Sequence, residues 1–290
     1  MTELTERAPA KLNLSLDVTG RRDDGYHELV MLMQTISIAD TLTLRRHDAG
    51  RVTASCSLHF IPTDERNLAV RAAQRYLEAV GETGQGVHIH MDKRIPVGAG
   101  MGGGSADAAA VLRGMDRLFG NRMGREELEE LACAIGSDVA FCVAGGTALA
   151  RGRGERLEDL APLPDCRFVV CKPEFSISTP ELYRKLDSVA LRRHPDTAGL
   201  LRGIGEGALR EVCRRMYNVF EDVPDRRMRT VGEIKGRLLD HGALSAMMTG
   251  TGSAVFGVFE TDQAAQSACE ALKKDYRGCS VASPVARYLD

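Results

Sequence analysis

Residues 97–110 read VGAGMGGGSADAAA, and five of the seven positions from Gly98 to Gly104 are glycine. Glycine loses more backbone freedom on folding than any other residue, so such a cluster ahead of an alanine-rich run needs a local cause. The free N–H groups and dipole at a helix start attract anions, and a glycine-rich lead-in lets several N–H groups converge on a phosphate. Ser105 reads as the N-cap and residues 106–118 as the helix. A flexible surface loop is the alternative, but linkers are richer in serine and have less apolar flanks.

Context decides which phosphate loop this is. Gly98, Gly100 and Gly103 match G-x-G-x-x-G, the dinucleotide fingerprint. That fingerprint needs a buried strand before it and an acid about 20 residues further on. Here VHIHMDKRIP precedes the loop, alternating and ending in Pro96, and the sequence downstream is helical. A Walker A loop needs Gly-Lys-Ser/Thr, whereas Ser105 follows Gly104. The V-A-I-K lysine and H-R-D motif of protein kinases are missing too. The loop is a phosphate cradle of none of these three kinds.

The chain has 290 residues, 43% hydrophobic and 27% charged, which suits a globular protein of two domains or one large one. A net charge of −2 gives no support to a nucleic-acid partner or a polybasic membrane surface. No apolar run approaches the roughly 18 residues that span a bilayer. The first residues lack a basic stretch followed by an apolar one, so no secretory signal is visible. Eight cysteines are scattered without a C-x-x-C pair. Cys133, Cys142, Cys166, Cys171, Cys213 and Cys269 read as small core residues, and a reducing cytoplasm is the simplest setting. Monomer and homodimer both stay open.

AKLNLSLDV alternates strictly and predicts a half-buried strand, with Leu12, Leu14, Leu16 and Val18 on one face and Lys11, Asn13, Ser15 and Asp17 on the other. A turn at Asp24-Gly25, two further strands, a helix from near Asn67 to Gly81 and another alternating strand lead to the glycine loop. After Leu160 the texture changes, and a boundary is placed there, giving domains 1–160 and 161–290. RFVVCKP reads as a buried strand. A helix over residues 180–187, further helices, two strands about Gly250-Thr251-Gly252, a helix and a last strand, CSVASPVARYL, follow. Strands and helices in alternating groups fit α+β better than a doubly wound sheet.

Several residues read blandly alone. Lys11, with Asn13 beside it, resembles any solvated strand lysine. Asp138, after Gly136-Ser137, complements a helix dipole. Tyr26 and His27 form a loop pair that could stack on a flat ligand. His88 and His90 share a strand face without an evident third ligand, so a solvated face is favoured over a metal site. Gly250 and Gly252 could make a tight turn or approach phosphates from the far side.

Taken in order, PAKLNLSLDVTGRRDDGYHEL, IPVGAGMGGGSADAAAVL and MMTGTGSAVFGVF resemble the three motifs of the GHMP kinase superfamily. The resemblance runs from Ala8 to about Phe259, while residues 188–215 match nothing. The pairing of AKLNL with DGYH points to the branch that phosphorylates the 2-hydroxyl of a cytidine-diphosphate-linked methylerythritol in the non-mevalonate isoprenoid pathway.

The resemblance implies an α+β fold with an N-terminal ribosomal-protein-S5-like domain, a C-terminal ferredoxin-like domain and the site between them. It implies ATP and Mg²⁺ as cofactors and a small cytidine-diphosphate-linked polyol as the partner. Pro96, Val97, Gly98, Ala99, Gly100, Met101, Gly102, Gly103, Gly104 and Ser105 match the loop around the ATP phosphates, with Ser105 nearest the metal. Asn67 and Lys93 fall at the adenosine pocket. Lys11 and Asp138 face the acceptor hydroxyl, with Asn13 and Thr179 near the substrate. Tyr26, His27 and Tyr183 hold the cytosine, and Gly250, Thr251 and Gly252 support the site from the second domain. A sister kinase acting on another small alcohol would share the loop without needing Tyr26, His27 and Tyr183. A non-catalytic nucleotide sensor would need neither Lys11 nor Asp138, and a dinucleotide-dependent dehydrogenase would need the missing downstream acid.

Overall fold

The structure is a computed structural model that describes residues 2–289. Its first half runs β1 (Glu3–Arg21), β2 (His27–His47), β3 (Val52–Cys56), α1 (Leu68–Ala79), β4 (Gly86–Asp92), α2 (Gly103–Leu118), α3 (Arg125–Cys133), α4 (Val139–Ala144), β5 (Thr147–Gly152) and β6 (Arg156–Asp159). The second half runs β7 (Arg167–Lys172), α5 (Thr179–Leu186), α6 (Thr197–Gly205), α7 (Leu209–Arg215), β8 (Tyr217–Asn218), α8 (Met228–Asp240), β9 (Ser245–Met248), β10 (Val255–Phe259), α9 (Asp262–Lys273) and β11 (Gly278–Ala282).

Two sheets organise these elements. The first has seven strands: its main path is β3-β4-β2-β1-β8, and β5 pairs with both β2 and β6. The long antiparallel β1–β2 hairpin forms its spine, running from Glu3↔Arg45 to Arg21↔His27 around the Asp24-Gly25 turn, where Gly25 takes φ +83°. The second is antiparallel with order β11-β7-β10-β9, and α8 and α9 pack on it. In the numbering of its own strands that order is 4-1-3-2, the ferredoxin-like arrangement of a split β-α-β. The fold is α+β, as the grouping of elements predicts.

Helix α2 is the hub of the first half. It is buried along most of its length, and Ala106, Ala108, Ala109 and Ala110 give it a narrow profile between α1 and the sheet. Alanine keeps full helix propensity while adding little width.

Strand β1 departs from expectation. Its apolar face is buried, but so are Lys11, Asn13, Ser15 and Asp17. The second half of the chain covers the polar face. β8 pairs in parallel with Ser15 and Leu16, and the Asn13 N–H donates to Thr249 Oγ1 at 3.0 Å. Asp17 meets His194 at 2.8 Å. Period-two alternation reports which side chains can find polar partners, and here those partners are protein rather than water.

Two other expectations shift. Strand β11 ends at Ala282, and the residues after it cross back to the first sheet, bridging Ile36↔Pro284 and Gly145↔Arg287. Pro284 cannot donate to a ladder, which ends the strand. The cysteines read as core are buried except Cys133, which is half-buried. No helix among the described residues is long and apolar enough to cross a membrane.

Candidate active site

A cleft of about 830 Å³ lies between the two sheets, lined by β1, the glycine loop, the start of α4, the start of α5 and the Gly250-Thr251 turn. Residues far apart in sequence meet on its walls.

The glycine loop is set by backbone geometry. Gly98, Gly100 and Gly102 all take positive φ, at +65°, +74° and +70°. Left-handed residues alternating with ordinary ones turn successive N–H groups toward one side, the form of an anion nest. Gly102, not Ser105, is the N-cap, and the Ala106 N–H donates to its carbonyl at 2.8 Å. The helix therefore starts at Gly103 and Ser105 stands in its first turn, facing the cleft. Sequence reasoning favoured the residue type common at N-caps; the left-handed glycine closes the loop first.

Two glycines are required by close approach. A Cβ on Gly100 would lie 2.3 Å from the Thr249 carbonyl oxygen, and one on Gly102 would lie 3.1 Å from Lys11 Cγ. The Ala254 N–H donates to the Ala99 carbonyl at 3.1 Å, so the Gly250–Gly252 turn packs directly on the loop. That turn is thus both tight and adjacent to the phosphate cradle.

Lys11 carries the cation of the site. β-Bulges between Pro9 and Lys11 and between Asn13 and Ser15 flank it, and bulges re-aim the side chains near them. The Lys11 N–H donates to the Met101 carbonyl at 3.1 Å, tying strand to loop. Its ammonium, 5% exposed, donates to Asn13 Oδ1 at 2.7 Å and lies 3.2 Å from Asp138 Oδ2. Asp138 is the N-cap of α4 but makes no side-chain capping bond. Its carboxylate, 28% exposed, therefore stays turned toward Lys11 and the cleft.

The cleft wall also carries His27 and Tyr183, their ring centroids 4.7 Å apart. His27 Nε2 lies 2.6 Å from Asp187 Oδ1, and Tyr183 packs edge-on against Phe220 at 4.8 Å. Burial, and then the charge on Asp138, push the Tyr183 phenol above the usual tyrosine range. Tyr26 is 55% exposed, with the Arg153 guanidinium 5.0 Å over its ring. Thr179 Oγ1 and Thr251 Oγ1 are 2.8 Å apart on the same wall.

Sequence reasoning missed part of this wall. Asp187 follows Tyr183 at i+4, a spacing that places both on one helix face. Arg21, Arg153 and Arg184 also line the cleft, and among the described residues no carboxylate lies within 4.0 Å of their guanidinium groups. Scattered arginines carry no local signature, so only the fold collects them.

The structure does not bring Asn67 or Lys93 to this cleft. Asn67 caps α1, accepting from the Ala69 N–H at 2.9 Å and donating to the Pro62 carbonyl at 2.7 Å. The Lys93 ammonium is buried between Asp40 and Asp107, beneath Gly103. Asp40 also accepts from the Ile95 N–H at 2.7 Å, so this triad joins the entry of the glycine loop to the first turns of α2.

Two buried carboxylates share that one ammonium. Burial works against the Lys93 charge, but the carboxylates outweigh it and hold its pKa above the lysine value. Burial pushes the Asp107 carboxyl up to about 7, and its Oδ1 has no hydrogen-bond partner. Between the unfolded carboxylate value and about 7, the folded chain holds a proton that the unfolded chain has released, so stability falls as pH rises through that window. In thermal melts between about pH 4 and 7 the wild type should lose stability relative to Asp107→Asn as pH rises. Parallel profiles would show that Asp107 is ionised throughout.

His88 and His90 bond to Thr53 and Ser55 on the neighbouring strand, and no group of three His, Cys, Asp or Glu among the described residues could hold a metal. Asp138 and Ser105 supply one carboxylate and one hydroxyl at the cleft. That oxygen set fits a Mg²⁺ ion held chiefly by nucleotide phosphates rather than by a protein cage.

With this geometry in view, comparison with known proteins is direct. The GHMP kinases N terminal domain model matches residues 67–146 and the GHMP kinases C terminal model residues 200–278. The 4-diphosphocytidyl-2-C-methyl-D-erythritol kinase of Alkaliphilus metalliredigens is 42% identical over 277 residues, covering 96% of this chain and 95% of its own. A crystal structure of 4-(cytidine 5'-diphospho)-2C-methyl-D-erythritol kinase superposes with a TM-score of 0.81 at 36% identity, covering 97% of this chain and 99% of that one. A homoserine kinase from Cytophaga hutchinsonii superposes at 0.77, covering 100% of this chain and 96% of its own, but at 23% identity shares only the fold. Identity over nearly the full length thus separates what the fold alone leaves together: the chain belongs to the GHMP kinase family, in its branch of 4-diphosphocytidyl-2-C-methyl-D-erythritol kinases.

Proposed function

We propose that the cleft is where the γ-phosphate of ATP passes to the 2-hydroxyl of 4-diphosphocytidyl-2-C-methyl-D-erythritol. The chain is a kinase of the non-mevalonate isoprenoid pathway. Residues 1–160 supply the phosphate loop and the reactive pair, and residues 161–290 close the site as a second domain. We place the enzyme in the cytoplasm.

The observation that carries this reading is the position of the Lys11–Asp138 pair. It stands 3.2 Å apart in one cleft with the glycine loop and the His27–Tyr183 ring pair. Phosphoryl transfer needs alignment and charge neutralisation more than covalent help. The loop N–H groups at the start of α2 hold phosphate oxygens. Ser105 and Asp138 would help to hold Mg²⁺, which would supply charge neutralisation at the phosphates. Lys11 polarises the acceptor oxygen, and Asp138 orients the hydroxyl and takes its proton as the P–O bond forms. Asn13 keeps the Lys11 ammonium aimed. Asn67 and Lys93 act on the nucleotide side indirectly, through the cap of α1 and the anchor of the loop.

The far end of the cleft suits a pyrimidine diphosphate. Tyr26 and Tyr183 offer aromatic faces, His27 a polar edge held by Asp187, and Arg21, Arg153 and Arg184 offer unpaired cations to a diphosphate. Thr179 and Thr251 add hydroxyls between the two ends.

The test is ADP release with Mg-ATP and a panel of alcohols: the diphosphocytidyl methylerythritol, homoserine, mevalonate and galactose. Turnover is expected with the cytidine compound alone. Turnover with another alcohol instead would keep the phosphate loop and discard the base subsite. In the same assay Tyr26→Ala should raise KM for the cytidine substrate roughly tenfold, since stacking on one base is worth about 1–3 kcal/mol. KM for ATP should stay within about twofold, and an unchanged substrate KM would place the cytosine elsewhere.

A further inference from the structure

Behind the Lys11–Asp138 pair, α4 spans only six residues, from Val139 to Ala144. A helix this short cannot satisfy its own terminal groups, and its carbonyl end must find donors elsewhere. Two side chains supply them. Arg113, on α2, donates through Nη1 to the Cys142 carbonyl at 2.6 Å and the Val143 carbonyl at 3.2 Å. Tyr288 donates its hydroxyl to the same Cys142 carbonyl at 2.7 Å and its N–H to the Ala144 carbonyl at 3.0 Å. The Arg113 guanidinium lies over the Tyr288 ring at 4.4 Å, so the two donors brace each other.

Arg113 also reaches the strand that carries Lys11. Its Nη2 donates to the Arg7 carbonyl at 2.8 Å and its Nε to Glu6 Oε1 at 3.2 Å. One buried guanidinium thus joins β1, shortly before Lys11, to the far end of the helix that begins at Asp138. The seat of Tyr288 admits no side chain opposite it. Gly145 takes φ +71°, and a Cβ there would lie 2.4 Å from the Tyr288 ring.

We propose that Arg113 and Tyr288 are positioning residues for phosphoryl transfer, holding Lys11 and Asp138 in register by anchoring the carbonyl end of α4 to β1. The inference rests on the assignment of Lys11 and Asp138 as the reactive pair. At ~1.5 Å per residue α4 is a stiff rod about 9 Å long, so a tilt at its carbonyl end moves the carboxylate at its start. Neither residue lines the cleft.

The experiment compares Tyr288→Phe, Tyr288→Ala and Arg113→Lys in the full chain, each in the wild-type and the Asp138→Asn background. Melting temperature is measured for each variant, with kcat and both KM values at one temperature well below it. Tyr288→Phe removes one hydrogen bond and keeps the ring. Displacements near 1 Å cost up to about 10²-fold, so kcat should fall several-fold in Tyr288→Phe and at least tenfold in Tyr288→Ala, with both KM values within about twofold. In the Asp138→Asn background the same changes should cost nothing further, because the bracing acts through that carboxylate. Wild-type kcat per folded molecule, or losses that multiply with Asp138→Asn, would reduce both residues to a structural role and overturn the inference. If Tyr288→Ala does not fold, Tyr288→Phe and Arg113→Lys decide. Full turnover in Asp138→Asn itself would overturn the reactive-pair assignment, a result distinct from failure of the brace.

Discussion

Asp138→Ala is expected to lose turnover by roughly 10²–10⁴-fold, the range set by a positioned acid or base, while ATP still binds. The carboxylate caps no N–H of α4, so its removal leaves the helix start as it was. It touches the acceptor end of the cleft, 3.2 Å from the Lys11 ammonium, rather than the glycine loop. On the proposed mechanism, what is lost is the group that orients the hydroxyl and receives its proton. Lys11 would keep Asn13 as a partner at 2.7 Å, so the buried ammonium is not left bare. The check pairs steady-state kinetics with nucleotide binding by calorimetry. A kcat equal to wild type would remove Asp138 from the chemistry. A loss of ATP affinity as large as the loss of kcat would mean that it acts on the nucleotide instead.

Gly100→Ala is expected to act on both binding and stability. At φ +74° an alanine carries a left-handed cost of about 1–2 kcal/mol. Its Cβ would also lie 2.3 Å from the Thr249 carbonyl oxygen, on the other half of the chain. Neither partner is a flexible side chain tip, so the loop and the Thr249–Gly252 turn must separate. That separation breaks the Ala99–Ala254 pairing and moves the N–H groups that form the phosphate nest. A penalty of about 2–3 kcal/mol at one such strained site lowers the melting temperature by roughly 3–5 °C for a chain of this size. KM for ATP should rise at least tenfold, since one misdirected charge-assisted hydrogen bond is worth about 1.5–3 kcal/mol. Gly104→Ala is the control for stability. Its Cβ would meet only Leu68 at 3.8 Å inside α2, so its melting temperature should hold or rise slightly. Equal melting temperatures for the two variants would show that the contact between loop and turn carries no load.

The element pattern was readable because local signals set it. The strand at Lys11–Val18, the helix opening near Asn67 and the Asp24-Gly25 turn depend on residues within a few positions of one another and are present as predicted, although the polar face of β1 is buried rather than solvated. The family was readable for a related reason. Its three glycine-rich or alternating motifs are contiguous stretches, and the matches to GHMP kinase models and relatives bear them out. The helix start was misplaced by three residues because propensity favours serine at a cap, whereas Gly102 at φ +70° closes the loop.

The chain by itself determined an α+β architecture, a glycine-rich loop at a helix start and membership of a kinase family. Those follow from periodicity and backbone preference, which act over a few residues. Only the tertiary structure decided which residues share the cleft. It buried the polar face of β1 under the second half of the chain and set Lys11 against Asp138. It set the Lys93 ammonium between Asp40 and Asp107, made Asn67 the cap of α1, and left the guanidinium groups of Arg21, Arg153 and Arg184 without a carboxylate within 4.0 Å among the described residues. The partner of a charge is chosen by whatever the fold brings within about 4 Å, and nothing in the spacing of those residues along the chain encodes that distance.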